Sequence, residues 1–186
     1  MYEYEKKVLL TRAEYMLLRG AAQEPVKEFT QTNYYYDTED LAWNRKGVTC
    51  RIREKAGKYI ATRKDHRLGD WDYSFESSRE ADGPSDSRFF DGMGVVPQGT
   101  LVTERLVLYQ GDGVEAVLDK NIYLGKVDYE MEIEYTPESR DRAQKLLSHY
   151  EEIVRFSVRE FRGFTETKWR SKSVRFFQWK KAVAEL

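Results

Sequence analysis

The sequence predicts an α+β fold on antiparallel strands, either a sheet with attached helices or a barrel with helices packed outside. Three observations carry this expectation. Strand-like segments recur along most of the chain, separated by turns containing Gly and Asp. Helical patterns stand at the beginning, middle and end instead of alternating with strands, unlike a doubly wound parallel sheet. Several strand-like stretches also carry charge at alternate positions: Glu3-x-Glu5-x-Lys7, Arg51-x-Arg53, Thr62-x-Lys64 and Glu130-x-Glu132-x-Glu134. Residues i and i+2 of a strand share a face, so each stretch lines one side of a sheet with charge.

The elements follow in order. Residues 2–9 read as a strand ending at Val8-Leu9. Thr11 stands three residues before Glu14, the spacing of a capping box, and predicts a helix through Tyr15 and Leu18 to Gly20. Residues 31–37 are aromatic and β-prone, and Asp40 to Gly47 reads as a short helical or turn connection. Strands at 48–54 and 58–64 flank Lys55-Ala56-Gly57 as a hairpin, and 71–78 gives another strand. From Ala81 to Gly99 the chain is rich in Gly, Ser, Asp and Pro and is expected to be a loop, with a short helix around Phe89-Phe90. Strands resume at 101–110 and 114–120 around the turn Gly111-Asp112-Gly113, and 127–135 is the last. Pro137 opens a helix to about Tyr150, and Ser171 caps a final helix.

A chain of 186 residues suits one sizeable domain, 1–186. Lys and Arg (31) nearly balance Asp and Glu (32), which argues against general electrostatic capture of nucleic acid but leaves room for a local basic cleft. The lone cysteine, Cys50, excludes an internal disulfide framework and a Cys-cluster zinc site. His66 and His149 are too far apart in sequence to have a metal-ligand spacing. No apolar run approaches the roughly 20 residues of a membrane span, and the amino terminus lacks a signal-peptide core. A cytoplasmic protein with no membrane or nucleic-acid partner is expected.

The charged strands admit two readings. In a half-wet sheet their charges face solvent and pair across strands. In a closed barrel with the same faces inward, the apolar faces turn outward under the helices. Arg and Lys would then bind a polyanion and Glu a hard divalent cation, which is phosphate chemistry. The absence of GxxxxGK[ST] excludes P-loop chemistry, and covalent catalysis by His or Cys has little support. Carboxylates clustered on one wall are expected to repel one another without metal, so neutralising them should stabilise the metal-free chain.

Glu3-Tyr4-Glu5-Lys6-Lys7 resembles the amino-terminal ExExK signature of the CYTH superfamily, the triphosphate tunnel metalloenzymes. Asn33-Tyr34-Tyr35-Tyr36-Asp37-Thr38 is similar to its N-Y-[YF]-D-T segment, and Arg51-Ile52-Arg53-Glu54 to its LRIRE run. Tyr59 to Lys64 resembles the y-x-x-T-x-K strand, and Asp119 with Asp128 to Glu134 resembles the acidic strand pair. Ser171-Lys172-Ser173-Val174-Arg175 is similar to a carboxy-terminal S-K-x-x-R. These segments come in the family's order over nearly the whole chain; Cys50 in place of Leu and Arg63 in place of an apolar residue are the departures, and residues 65–100 match poorly.

The resemblance implies an eight-stranded antiparallel β-barrel, a triphosphate tunnel, with helices packed outside and Mg²⁺ or Mn²⁺ as cofactor. It implies Glu3, Glu5, Asp119, Glu130 and Glu132 as metal ligands, and Lys7, Arg51, Arg53, Lys64, Arg105 and Lys172 as phosphate contacts. Glu3, Glu5, Lys7, Glu130 and Glu132 would carry catalysis, with Glu76 and Glu134 as further members. The implied activity is hydrolysis of the terminal phosphate of a small-molecule triphosphate: inorganic triphosphate first, thiamine or nucleoside triphosphate next. The alternatives are a CYTH-type adenylate cyclase and a non-catalytic polyphosphate- or nucleotide-binding module. The oligomeric state is left between monomer and homodimer. Packing is favoured over ring stacking for Tyr34, Tyr35 and Tyr36. Trp43, Arg67, Asp70 and Trp71 are weaker substrate-contact candidates, and His66 is read as a loop residue. Arg175, Lys180 and Lys181 are expected to form a solvated helix face.

Overall fold

The computed structural model describes residues 2–22, 25–65, 73–158, 160–166 and 171–185. His66, Arg67, Asp70, Trp71 and the side chain of Glu3 lie outside the described part. The strands are β1 (Tyr2–Leu10), β2 (Lys27–Asp37), β3 (Val48–Lys55), β4 (Lys58–Asp65), β5 (Tyr73–Ala81), β6 (Val96–Gly111), β7 (Val114–Tyr123) and β8 (Lys126–Tyr135). The helices are α1 (Arg12–Ala21), the short α2 (Ala42–Arg45), α3 (Arg140–Ser157) and α4 (Lys172–Ala184).

The strands close into an antiparallel barrel in the order β1-β5-β4-β3-β2-β6-β7-β8. Closure rests on β1, which pairs with β5 at one edge and β8 at the other, with Glu5 opposite Glu134 and Lys7 opposite Glu132. The barrel removes both free sheet edges and turns one face of every strand inward. Local chemistry shapes the joints. Thr11 and Glu14 form the expected capping box of α1. The β3–β4 hairpin turns on Ala56 and Gly57, both at positive φ, and Asp112 and Gly113 turn β6 into β7 in the same way.

Two elements begin earlier than the sequence suggests. β2 starts at Lys27 and β6 at Val96, inside the stretch expected to be loop. Pro97 and Gly99 mask the strand signal, and a register shift between Tyr35 and Tyr36 accommodates them. Gly99 has a second reason to be glycine: at φ 139°, an added Cβ would come within 2.9 Å of the Phe176 ring on α4.

The apolar faces do turn outward beneath helices. Val8, Leu118, Met131 and Ile133 pack with Tyr15 and Leu18 of α1 and with Ala143, Leu147 and Val154 of α3. On the other side Val48, Cys50, Ile52 and Ala61 pack with Tyr36 and Phe90. Tyr36 lies 5.7 Å from Phe90 between ring centroids, and Trp43 donates its indole N–H to the Met93 carbonyl at 2.9 Å on the barrel exterior. Asp37 accepts backbone N–H bonds from Thr38, Trp43 and Asn44, so this acid anchors α2 instead of entering the tunnel. Among the described residues no helix is long and apolar enough to cross a membrane.

Cys50 yields a direct test of this outer core. Burial in apolar surroundings pushes its thiol up to about 12, and 1% of it is exposed. Thiol reagents should therefore modify Cys50 at neutral pH only under unfolding conditions, since the thiolate is the reactive form. Rapid stoichiometric labelling of the folded protein would contradict this packing.

Candidate active site: a charged tunnel

Pairing across the barrel divides the interior into two walls. β7, β8 and β1 carry Asp119, Asn121, Asp128, Glu130, Glu132, Glu134, Glu5 and Lys7, while β3 and β4 carry Thr49, Arg51, Arg53, Thr62 and Lys64. One cavity is lined by Glu5, Lys7, Glu132 and Glu134 together with Arg51, Arg53, Lys64, Arg105 and Lys172. Sequence separations above one hundred residues collapse here into hydrogen-bond distances.

The acidic wall centres on Asp119, Glu130 and Glu132, whose carboxylate oxygens lie within 4.8 Å of one another. All are buried, and such a group is stable only with compensating positive charge. Lys172 supplies much of it. Its ammonium sits 2.8 Å from Asp119 and 2.9 Å from Glu132 and also pairs with Glu130. Arg105 makes a bidentate contact to Asp119 at 2.8 and 2.7 Å and reaches Glu132 at 2.8 Å. Lys7 bridges Glu132 at 3.0 Å and Glu5 at 3.1 Å. Burial works to raise the Glu132 carboxyl, but Lys172, Lys7 and Arg105 outweigh it and hold the group well below the usual carboxylate range. In return Glu132 and Glu5 hold Lys7, and Asp119 and Glu132 hold Arg105, well above their ordinary values against the effect of burial.

The basic wall is differently balanced. Glu76 is shared by Lys64 at 3.3 Å and Arg51 at 3.7 Å. Arg53 has no carboxylate partner among the described residues; its Nε donates to Asn33 Oδ1 at 3.0 Å. Burial and the neighbouring Arg51 and Arg105 push its guanidinium down to about 10. A cation held this way favours an arriving anion. The expected phosphate contacts all line the cavity and form two sets: Arg51, Arg53 and Lys64 on β3 and β4, of which Arg51 and Lys64 share Glu76, and Lys7, Arg105 and Lys172, which pair with the buried carboxylates of the acidic wall.

Helix α4 closes one end. Phe176 and Phe177 pack on Tyr35 with ring centroids 4.8 and 5.8 Å apart, and Ser173 meets Thr49 at 2.9 Å. This placement overturns part of the expected solvated face. Arg175 is only 7% exposed and pairs with Asp128 at 2.8 Å and Glu130 at 2.9 Å. Lys180 is half-buried and bonds Gln98, while Lys181 is exposed as expected. Compensation by buried carboxylates reverses the usual preference of Arg for solvent. Arg175 and Asp128 join the candidate site through Glu130, and the residue-level reading missed them. Their signals were the Lys172–Arg175 spacing of one helical turn and the extension of the β8 alternation by one step.

An eight-stranded barrel with a tunnel of opposed acidic and basic walls is the class that fold and site define. The CYTH domain model matches residues 1–164, and the chain belongs to that family. It is 32% identical over 185 residues to "Putative triphosphatase YjbK" of Bacillus subtilis, spanning 91% of this chain and 97% of that protein. Two solved structures share the fold. One is the Hippeastrum protein HpAC1, a "putative adenylyl cyclase" described as having a dominant triphosphatase activity (TM-score 0.71, 20% identity, 96% of this chain and 95% of that one). The other is a "putative adenylate cyclase" of Bacillus halodurans (TM-score 0.67, 23% identity, 94% and 97%).

Proposed function

We propose that this chain is a divalent-metal-dependent triphosphatase that cleaves the terminal phosphoanhydride of inorganic triphosphate, with thiamine and nucleoside triphosphates as the next candidates. The observation that carries the reading is the opposition of the two walls. Arg51, Arg53 and Lys64 line a cavity together with Glu5, Glu134 and Glu132, and Glu132 belongs to the carboxylate cluster with Asp119 and Glu130. A pure anion site has no use for that many buried acids. The family membership and the name of the Bacillus subtilis relative support the same reading.

Three carboxylates with closely spaced oxygens fit a hard cation such as Mg²⁺ or Mn²⁺. Asp119, Glu130 and Glu132 would hold it, with Glu5 and Glu3 on the adjoining strand as further ligands. When bound, such an ion polarises a phosphoryl oxygen and lowers the pKa of water. The chain's own residues position the substrate. Arg51 and Arg53 offer planar donors to non-bridging oxygens, and Lys64 adds a point charge. Lys172 already occupies the cationic centre of the cluster, so a metal there requires its ammonium to move. Lys172 lines the same cavity as Arg51 and Lys64 and thus stays within the anion's surroundings. Helix α4 buries Lys172 and Ser173 at that end of the tunnel, and the lower local dielectric strengthens the electrostatic contacts there.

Phosphate release across inorganic triphosphate, thiamine triphosphate, ATP and pyrophosphate, each with Mg²⁺, Mn²⁺ or chelator, tests the reading. Metal-dependent release from inorganic triphosphate is expected, and unchanged activity in excess chelator would refute the metal role. Cyclic AMP as the product from ATP would point to the cyclase reading.

Arg53→Met separates substrate capture from stability. Loss of a charge-assisted contact should weaken metal-free triphosphate binding by about 10- to 100-fold. The depressed guanidinium means that its charge opposes the ligand-free fold, so the melting temperature should hold steady or rise. Wild-type affinity in calorimetry would move Arg53 out of the anion path.

A further inference from the structure

The basic side of the tunnel does not stop at Arg53. Arg51, Arg53 and Lys55 share one face of β3, each about 6.6 Å along the strand from the last. Opposite them β2 presents Tyr35, Asn33 and Gln31 in register. Two and four residues beyond Gln31, on the same β2 face, stand Phe29 and Lys27. This end of β2 and β3 lies away from α4; the cavity lining reaches Arg53, and the next cations on the same face, Lys55 and Lys27, are exposed to solvent, which marks the mouth on this side. There the Lys55 ammonium lies 3.9 Å and the Lys27 ammonium 5.4 Å from the centroid of the half-buried Phe29 ring.

The cations along this route lose carboxylate partners as it leaves the interior. Arg51 shares Glu76, whereas Arg53, Lys55 and Lys27 make no ion pair with any described carboxylate. Two like charges over one ring repel each other, and the ring offsets this only in part. Burial and the proximity of Lys27 and Arg105 lower the proton affinity of Lys55. An anion lying between the two ammonium groups would relieve the repulsion. If inorganic triphosphate seats its terminal group near Glu132 and runs along Arg51 and Arg53, its other end points toward this mouth. The chemistry that continues from there is more phosphate.

We propose that Lys27, Phe29 and Lys55 form a subsite at the tunnel mouth that binds the anionic continuation of a linear phosphate chain beyond its third phosphoryl group. The inference rests on the tunnel reading of the preceding section and assigns the substrate class at its open end. Linear inorganic phosphates longer than three units gain contacts there. A triphosphate ending in a cationic ring, such as thiamine triphosphate, gains nothing from the two lysines.

Calorimetric binding without metal, in chelator and at low ionic strength, tests this with inorganic triphosphate, linear tetraphosphate and thiamine triphosphate. The proteins compared are the wild type, the double variant Lys27→Gln/Lys55→Gln and the charge-preserving Lys27→Arg/Lys55→Arg. Exposed ion pairs are individually weak, so the two lysines together should favour tetraphosphate over triphosphate by about five- to tenfold in the wild type. That preference should shrink with added salt. The glutamine variant should keep triphosphate affinity within about twofold while losing the preference, and the arginine variant should retain it. Equal affinities for the two phosphates in the wild type, or an undiminished preference in the glutamine variant, would overturn the subsite. Failure of every phosphate to bind would overturn the tunnel reading itself, which distinguishes the two failures.

Discussion

Replacing Glu132 with glutamine is expected to abolish most of the turnover and also to destabilise the fold. Glu132 is the acid that Lys7, Arg105 and Lys172 share, at 3.0, 2.8 and 2.9 Å. Glutamine keeps the shape but removes the charge that balances these buried cations. Breaking such a pair from one side typically costs about 3–5 kcal/mol. The sequence alone suggested the reverse sign, because bare clustered carboxylates repel. The structure corrects this: the cluster is already threaded with lysine and arginine, so neutralising an acid strands cations instead of relieving anions. Turnover of inorganic triphosphate should fall by about 100-fold or more, since even residues that merely orient metal ligands are worth 10- to 100-fold.

The pH dependence follows from the depressed carboxyl. A group whose folded pKa lies below its unfolded value contributes stability above the unfolded value and loses it as pH falls through the folded one. For Glu132 the ordinary value is 4.5 and the folded value lies well below it. The difference in unfolding free energy between wild type and Glu132→Gln should be full at neutral pH and shrink progressively below 4.5. Denaturant titrations at neutral and acid pH measure it; a difference independent of pH would remove the charge from the explanation.

Lys172→Met is expected to make the fold depend on divalent metal. The variant keeps the side-chain stem but leaves Asp119, Glu130 and Glu132 without their central ammonium. In chelator its melting temperature should drop by about 10 °C, taking about 3–5 kcal/mol for a broken buried pair and 2–4 °C per kcal/mol for a chain of this size. Mg²⁺ or Mn²⁺ at about 100 times its dissociation constant should return about 2.7 kcal/mol. In the wild type the same metal should raise the melting temperature less, because it must first displace the ammonium. A variant whose melting temperature ignores both chelator and metal would show that this cluster is not the cation site.

Much of the candidate site's arrangement was legible before any coordinates. Alternation in Glu130-x-Glu132-x-Glu134 and Arg51-x-Arg53 assigns each set to one strand face, and β8 and β3 carry them so. The capping box at Thr11 and the glycine turns at Gly57 and Gly113 are short-range chemistry, and they appear where expected. β6 was foreshortened because Pro97 and Gly99 read as loop, whereas pairing with β2 overrides that local signal. Arg175 was misread because charge on a helix normally means solvent, and no local pattern reveals that Asp128 and Glu130 wait beneath it.

By itself, then, the sequence determined which residues share a face and which family's order of motifs they follow. It left open whether those faces look into solvent or into a tunnel. Only the tertiary structure decided that, through the pairing of β1 with both β5 and β8 and the seating of α4 across one end. The tertiary structure also divided the cations, committing Lys7, Arg105 and Lys172 to carboxylates and leaving Arg53, Lys55 and Lys27 with no ion pair among the described residues. The physical reason is range. Strand periodicity and caps act over a few residues, while barrel closure and the balance of buried charge join groups far apart in the chain.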